Sequence, residues 1–452
     1  MSRLIVLGRG QGRASPLRGR VQVPGDKSIS HRALMLGALA EGESTIEGFL
    51  RAGDCLATVS CLRQLGVEIE VAGTGPVATA IVRGRGLRGL RPASAPLDCR
   101  RSGTSMRLLA GILAGQPFDS QLTGDPQLLR RPMRRITEPL CAMGARIEDH
   151  EGHAPLVIRG GAALAGMTYS MPVASAQVKS AILLAGLYAN GPVIVEQPGP
   201  ARDHTERMLA SQAVPAWQGA TPVTYDEERV ALEPRALAAL RPFHMTVPGD
   251  FSSAAFLVAA ALLVPGSHIE VAGVGINPTR TGLMDVLQQM GVDVGVTTPR
   301  YQGGEPVADL QVRGSALLEG TTVAGSTVVR MIDEFPILAV VATQARGTTV
   351  VRDASELRVK ETDRIAMVVD ELRRFGARIQ GKPDGFVVDG PTALRGAHVD
   401  SHGDHRLAMA LTIAALMAEG ESVIEHTACI SDSFPGFVEI LQELGAEIDV
   451  VS

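Results

Sequence analysis

Pro24-Gly25-Asp26-Lys27-Ser28-Ile29-Ser30-His31-Arg32, followed by an apolar stretch rich in Ala and Leu, a break at Gly42 and the β-branched run Ser44-Thr45-Ile46, sets a plan that the chain repeats six times. The later copies open at Arg101-Ser102-Gly103-Thr104, Ser175-Ala176-Gln177, Gly249-Asp250-Phe251-Ser252-Ser253, Asp333-Glu334-Phe335 and Gly403-Asp404-His405-Arg406. Downstream, an apolar helix ending in Gly before a strand recurs at Leu65-Gly66-Val67, Met143-Gly144-Ala145, Met290-Gly291-Val292, Phe375-Gly376-Ala377 and Leu444-Gly445-Ala446. The third copy has Ala213 near the expected place instead. Repetition at this period means that each copy is one supersecondary unit whose apolar face only its neighbours can bury. The pattern predicts six α/β units, with chemistry gathered where the first helix of each begins.

Residues 32–40 and 107–114 are almost entirely apolar, which predicts helices buried within each domain rather than lying on its surface. Short β-branched strands are predicted at residues 44–46, 193–195, 268–271, 348–351 and 422–424. At 452 residues the chain exceeds one ordinary core, and two domains of roughly 200 residues follow. Pro234, Pro242 and Pro248 crowd the approach to the fourth opening, placing one crossover at residues 245–248. The other falls at 21–24. One domain is therefore expected from residues 1–23 plus 247–452, carrying repeats four to six. Residues 24–246 form an inserted domain with repeats one to three.

Composition narrows the function. A formal net charge of −5 argues against nucleic acid or an anionic membrane as partner, so any affinity for anions is local. Five cysteines without a CxxC pair indicate neither a disulfide framework nor a zinc site and fit a reduced cytoplasm. Residues 1–20 lack a signal-peptide core, and the longest apolar run, near residues 254–264, is too short to span a bilayer.

A helix start attracts anions through its free N–H groups and dipole. Ser, Thr, Asp and Gly at the openings are also what plain N-caps require. Caps do not account for Lys27, Arg32, Arg101, Arg107 and Arg406. Lys27 and Arg32, five apart, lie roughly 140° from each other on a helix and would grip different parts of a ligand. Neither a P-loop nor, at Gly8–Gly12, a dinucleotide fingerprint is present. Four arginines surround Pro132 (Arg130, Arg131, Arg134, Arg135). A proline at helix position N1 would hold Arg131 rigidly at the helix mouth. Residues 358–364 interleave both signs of charge, which on a helix surface would pair among themselves. In an anion-rich cleft, Glu361 would instead serve as a general acid. Asp333 is an acid in an apolar context. His31, His204 and His405 are too scattered for a metal site, and none is expected.

The segments PGDKSISHR (24–32), SGTSMRL (102–108), LTGDPQLLRRPM (122–133), SAQVKSAILLAGL (175–187), RVKETDR (358–364) and GDHRLAMA (403–410) together resemble 5-enolpyruvylshikimate-3-phosphate synthases. GDKS (25–28), SAQVK (175–179), RDHTE (202–206) and NPTR (277–280) are similar to the family's second class, often tolerant of glyphosate. The resemblance implies an α/β fold, a two-domain inside-out barrel of six βαβαββ-type repeats with the active site in the cleft between domains. It implies transfer of the enolpyruvyl group of phosphoenolpyruvate to the 5-hydroxyl of shikimate 3-phosphate, with no cofactor, by a cytoplasmic monomer. By family pattern, Lys27, Ser28, Arg32, Ser175, Gln177, Arg202, Asp333 and Lys360 hold shikimate 3-phosphate. Lys27, Gly103, Arg131, Gln177, Arg364 and Arg406 hold phosphoenolpyruvate. Asp333 takes the hydroxyl proton, Glu361 protonates the methylene carbon, and Lys27 completes the catalytic set.

Arg101 stands where the family usually has Asn, Asp432 where many members have Lys, and Ala176 where a second Ser is usual. Gly103 also departs from tolerant members, which often carry a methyl-bearing Ala there. Two rivals remain at this level. The sister transferase acting on UDP-N-acetylglucosamine normally has Asn after the first Lys and a reactive Cys in a mobile loop; here stand Ser28 and, near Arg131, only Cys141. A non-catalytic repeat scaffold would gain nothing from acids and cations at helix mouths.

Overall fold

A computed structural model describes residues 2–10, 15–314 and 317–451; Gln11 and Gly12 of the glycine-rich Gly8–Gly12 run lie outside them. The chain divides into two compact units, one of Met1–Pro24, Pro248–Tyr301 and Pro306–Ser452, the other of Gly25–Val247 with Gln302–Glu305. We call them the terminal and the inserted unit. No sequence signal marked the short turn Gln302–Glu305 for the inserted unit.

Each unit holds three four-stranded sheets of one pattern. In the clearest, Leu97–Asp98 runs parallel to Ser120–Thr123, which pairs antiparallel with His153–Arg159, itself antiparallel to Arg146–His150. A parallel pair needs a crossover, and the helix Gly103–Ala114 supplies it. The repeat is thus strand, inner helix, strand, second helix, and a closing hairpin. Chain order is broken at three places. His244–Thr246, at the end of the inserted unit, gives the first repeat its parallel edge beside Glu41–Leu50. Arg18–Gln22 does the same for the fourth beside His268–Gly275, and Arg3–Arg9 enters the sixth sheet between Glu419–Glu425 and Ile448–Val451. The chain mixes helices with parallel and antiparallel strands, an α/β fold of two domains.

The apolar segments become inner helices: Lys27–Leu39, Gly103–Ala114, Ala176–Gly186, Phe251–Leu263, Phe335–Ala342 and His405–Met417. Every residue of Phe251–Leu263 and His405–Met417 is buried, which explains why these sequences are apolar on all sides. Inner helices also approach closely: a Cβ on Gly111 would stand 2.2 Å from the Ala181 carbonyl oxygen. Each unit has its own buried cluster, built around its three inner helices.

The glycines that end the second helices lie at positive φ: Gly66 at 86°, Gly144 at 100°, Gly291 at 89°, Gly376 at 89° and Gly445 at 106°. A residue with a Cβ is disfavoured there. The third repeat escapes the rule because Ala213, at φ −61°, passes directly from helix His204–Gln212 into strand Ala213–Pro215.

Candidate active site

In the inserted unit, each inner helix is capped from its own sequence. Asp26 accepts from the Ile29 N–H (2.9 Å), Ser102 from Ser105 (3.1 Å) and Ser175 from Val178 (3.5 Å). One cap uses one donor, so other N–H groups of the first turn remain for a ligand. Lys27, first in its helix, meets Asp54 at 3.0 Å. Arg202 Nη1 donates to Ser28 Oγ at 3.5 Å. Arg32 is buried and donates to Thr205 Oγ1 (2.7 Å), Ser180 Oγ (2.8 Å) and the Ser28 carbonyl (2.9 Å). Lys27 and Arg32 thus engage different surroundings, as their angular separation requires.

Gln177 donates to Thr104 Oγ1 at 3.1 Å and accepts from Arg107, whose second terminal nitrogen reaches the Pro132 carbonyl at 3.2 Å. Arg131 lies over Gly103: a Cβ on that glycine would stand 2.8 Å from Arg131 Nη1 and 3.6 Å from Arg107 Nη1. Two guanidinium groups therefore share the mouth of helix Gly103–Ala114, and the missing side chain makes room for them.

Pro132 does not open a helix. The helix begins at Arg134 with Met133 as N-cap, and Pro126 takes the first position of the preceding helix Pro126–Leu129. The Met133 N–H bonds the Gly152 carbonyl (2.7 Å), which draws the chain off a helical course, and Arg131 is fixed instead by its N–H to the Leu128 carbonyl (3.0 Å).

In the terminal unit, Asp333 precedes helix Phe335–Ala342. Its Oδ1 lies 3.4 Å from Arg364 Nη1 and 3.8 Å from Lys360 Nζ, and its Oδ2 3.4 Å from Arg406 Nη2. Arg364 is buried, with Nε 2.8 Å from Asp404 Oδ2 and Nη2 2.7 Å from Glu361 Oε2. Burial alone would lower the pKa of Arg364, but Asp404, Glu361 and Asp333 together raise it well above its ordinary value. Burial conversely pushes Asp404 up, yet Arg364 prevails and holds it below the ordinary carboxylate range. Asp404 also caps helix His405–Met417, accepting from the Arg406 N–H at 2.9 Å.

The mixed-charge run 358–364 is not a helix surface: Ser355–Val359 is a 3-10 turn, and the helix starts only at Arg364. Lys360 and Glu361 ride on the loop before it. Site residues are therefore not confined to first helices, since Arg202, Lys360, Glu361 and Arg364 stand at the starts of second ones. Sequence reading missed Asp54, Thr205 and Ser180. Asp54 and Ser180 lie inside helices, where no cap or charge run marks them, and Thr205 lies within the quoted RDHTE segment but was not singled out among its charged neighbours. It also did not anticipate that Asp203, His204 and Glu305 bring three possible metal-ligand atoms within 4.8 Å of one another. There Asp203 pairs with Arg207 (2.8 Å) and His204 with Glu305 (2.7 Å). No described helix is long and apolar enough to cross a membrane.

A family model described as EPSP synthase (3-phosphoshikimate 1-carboxyvinyltransferase) matches residues 12–441. The 3-phosphoshikimate 1-carboxyvinyltransferase of Methylococcus capsulatus is 52% identical over 442 residues, 97% of this chain and 98% of the relative. That of Desulforamulus reducens is 50% identical over 433 residues, 95% and 98% respectively. Among solved structures, EPSP synthase from Acinetobacter baumannii matches with a TM-score of 0.85 at 40% identity over 100% of both chains. The enolpyruvyl transferase NikO from Streptomyces tendae, at 20% identity and TM-score 0.78 over 100% of this chain and 99% of its own, shares the fold.

Proposed function

This chain belongs to the EPSP synthase family and is an enolpyruvyl transferase of the shikimate pathway, and from that premise we propose how its two constellations divide the work. The reaction moves the enolpyruvyl group of phosphoenolpyruvate to the 5-hydroxyl of shikimate 3-phosphate and releases phosphate. Both substrates combine a carboxylate with a phosphate, and like charges at 4 Å repel by about 1–4 kcal/mol even in well-solvated surroundings. Cations and helix N–H groups offset that repulsion.

In this reading Lys27, Ser28, Arg32, Ser175, Gln177 and Arg202, with Asp333 and Lys360, hold shikimate 3-phosphate. Arg131, Gly103, Gln177 and Lys27, with Arg364 and Arg406, hold phosphoenolpyruvate. The observation that carries the chemical assignment is Asp333, only 14% exposed among Lys360, Arg364 and Arg406, which favour its ionised, proton-accepting form. Asp333 takes the proton of the 5-hydroxyl as its oxygen bonds to C2 of phosphoenolpyruvate. Glu361 delivers a proton to C3, giving a tetrahedral intermediate. Return of a proton from the new methyl group and departure of phosphate restore the double bond. Glu361 is paired with Arg364 in the free protein; when phosphoenolpyruvate claims Arg364, that pairing weakens as anions gather near Glu361, and its affinity for a proton rises. An acid, a base and cations suffice, without metal or organic cofactor, and we take the enzyme to be a cytoplasmic monomer.

Phosphate-release kinetics test the division. Arg202→Ala should raise KM for shikimate 3-phosphate about tenfold or more and Arg131→Ala that for phosphoenolpyruvate, each largely sparing the other constant. Equal changes in both constants for both variants would remove the division. Release with UDP-N-acetylglucosamine should be absent.

A further inference from the structure

The fourth opening, Gly249–Ser253, and the turn Asn277-Pro278-Thr279-Arg280 have no part in the reaction described above, yet they build a buried polar network. Asp250 caps helix Phe251–Leu263, accepting from the Ser252 N–H at 3.0 Å. Arg280 Nη2 donates to Asp250 Oδ1 (2.8 Å) and to Ser252 Oγ (2.9 Å). Asn277 shapes the turn that delivers Arg280, its carbonyl accepting from the Arg280 N–H at 2.8 Å and its Oδ1 from the Thr279 N–H at 2.9 Å. The Ser252 hydroxyl donates in turn to Glu334 Oε1. Asp250, Ser252, Arg280 and Glu334 are each at most 3% exposed.

Glu334 stands at the N-cap of helix Phe335–Ala342, but its side chain makes no cap bond; it is committed to Ser252. Its neighbour in the chain is Asp333. Two adjacent side chains are thus fixed by separate sets of partners, Glu334 by the Ser252–Arg280 network and Asp333 by Lys360, Arg364 and Arg406. Arg280 and the two carboxylates of Asp250 and Glu334 form a buried charged set whose loss of one member leaves the others poorly compensated. A base must meet its proton within narrow limits, and misplacement of about 1 Å can cost about 10²-fold in rate.

We propose that Glu334, acting through Ser252 and Arg280, is a positioning residue for Asp333 and serves the chemical step rather than binding. The inference rests on Asp333 being the base. A double-mutant cycle separates the two. Glu334→Ala and Ser252→Ala should each lower kcat about tenfold or more with both KM values within about threefold, and in an Asp333→Asn background the same changes should cost less than about twofold. Glu334→Gln, which can still accept from Ser252, should recover most of the turnover. If Glu334→Ala does not fold, Ser252→Ala carries the cycle, since it removes a single hydroxyl. An equal loss in both backgrounds, a loss confined to KM, or reduced thermal stability with unchanged kcat overturns the positioning role. An Asp333→Asn enzyme with intact kcat removes the base assignment, and the positioning role with it. A collapsed Asp333→Asn enzyme with an additive cycle removes the positioning role alone.

Discussion

The cations at and beside the candidate site are held differently in the two units. In the inserted unit Arg32, Arg107 and Arg202 donate to hydroxyls, backbone carbonyls and an amide, with Lys27–Asp54 an ion pair beside them. In the terminal unit Arg364, Arg406 and Arg280 are bonded to the carboxylates of Asp404, Glu361, Asp333 and Asp250. Hydroxyls, carbonyls and amides orient a guanidinium without neutralising it. One held by carboxylates instead keeps those carboxylates ionised and aimed. The first arrangement suits binding and the second suits proton transfer.

The largest test of that contrast is structural. Asp404→Ala strips Arg364 of a buried partner and removes a cap, which should cost about 3–5 kcal/mol; Asp26→Ala, a cap in the inserted unit, should cost only about 1 kcal/mol. Denaturant unfolding of both variants measures the difference, and equal losses would erase the distinction. Next come the acids. Asp333→Asn and Glu361→Gln should each lower kcat by on the order of 10²-fold or more with far smaller changes in KM. Steady-state assays in which only KM moves would make both residues binding groups.

Acid should separate the units as well. Burial, with Asp54 opposing and Lys27 and Arg32 assisting, lowers the His31 pKa from 6.5 to about 3. The unfolded chain takes up a proton near pH 6.5 that the folded one refuses, so this stability is full above pH 6.5 and is lost as pH falls from there toward 3, at up to about 1.4 kcal/mol per pH unit. Asp404, held low when folded, keeps its contribution until pH falls below about 3.9. Hydrogen-exchange protection factors, corrected for the intrinsic exchange rate at each pH, should therefore fall in helix Lys27–Leu39 at pH 5 relative to pH 7, while those of His405–Met417 are unchanged. His31→Asn should abolish the effect, and a loss of protection that survives this substitution would exclude His31 as its source.

The smallest effect is expected at Gly103. Its added methyl would press on the Arg131 guanidinium, the far end of a flexible side chain, so Gly103→Ala should fold normally. It should raise KM for phosphoenolpyruvate a few-fold, roughly, and the inhibition constant of glyphosate by more. Equal changes in the two constants would place inhibitor discrimination elsewhere.

Much of this was legible without coordinates. Lys27, Gly103 and Arg406 sit at helix starts because their neighbours Asp26, Ser102 and Asp404 are local caps, and a cap is written within four residues of sequence. Pro132 misled because the same proline that favours a helix start is equally at home in the extended chain before one; the bond from Met133 to Gly152 decided between them. Glu361 and Lys360 were visible as charges, but not that they precede their helix.

The sequence by itself determined the six-fold plan, the buried inner helices, the glycine stops and the pool of cations, because each depends on periodicity or on conformational preferences confined to a few residues. Only the tertiary structure decided which cation serves which partner. Arg32 reaches Thr205 across 173 positions and Arg364 reaches Asp404 across 40, and no local preference encodes such a meeting. It arises because packing the inner helices of each unit into one core brings their ends together, and charge then selects among the neighbours that packing provides.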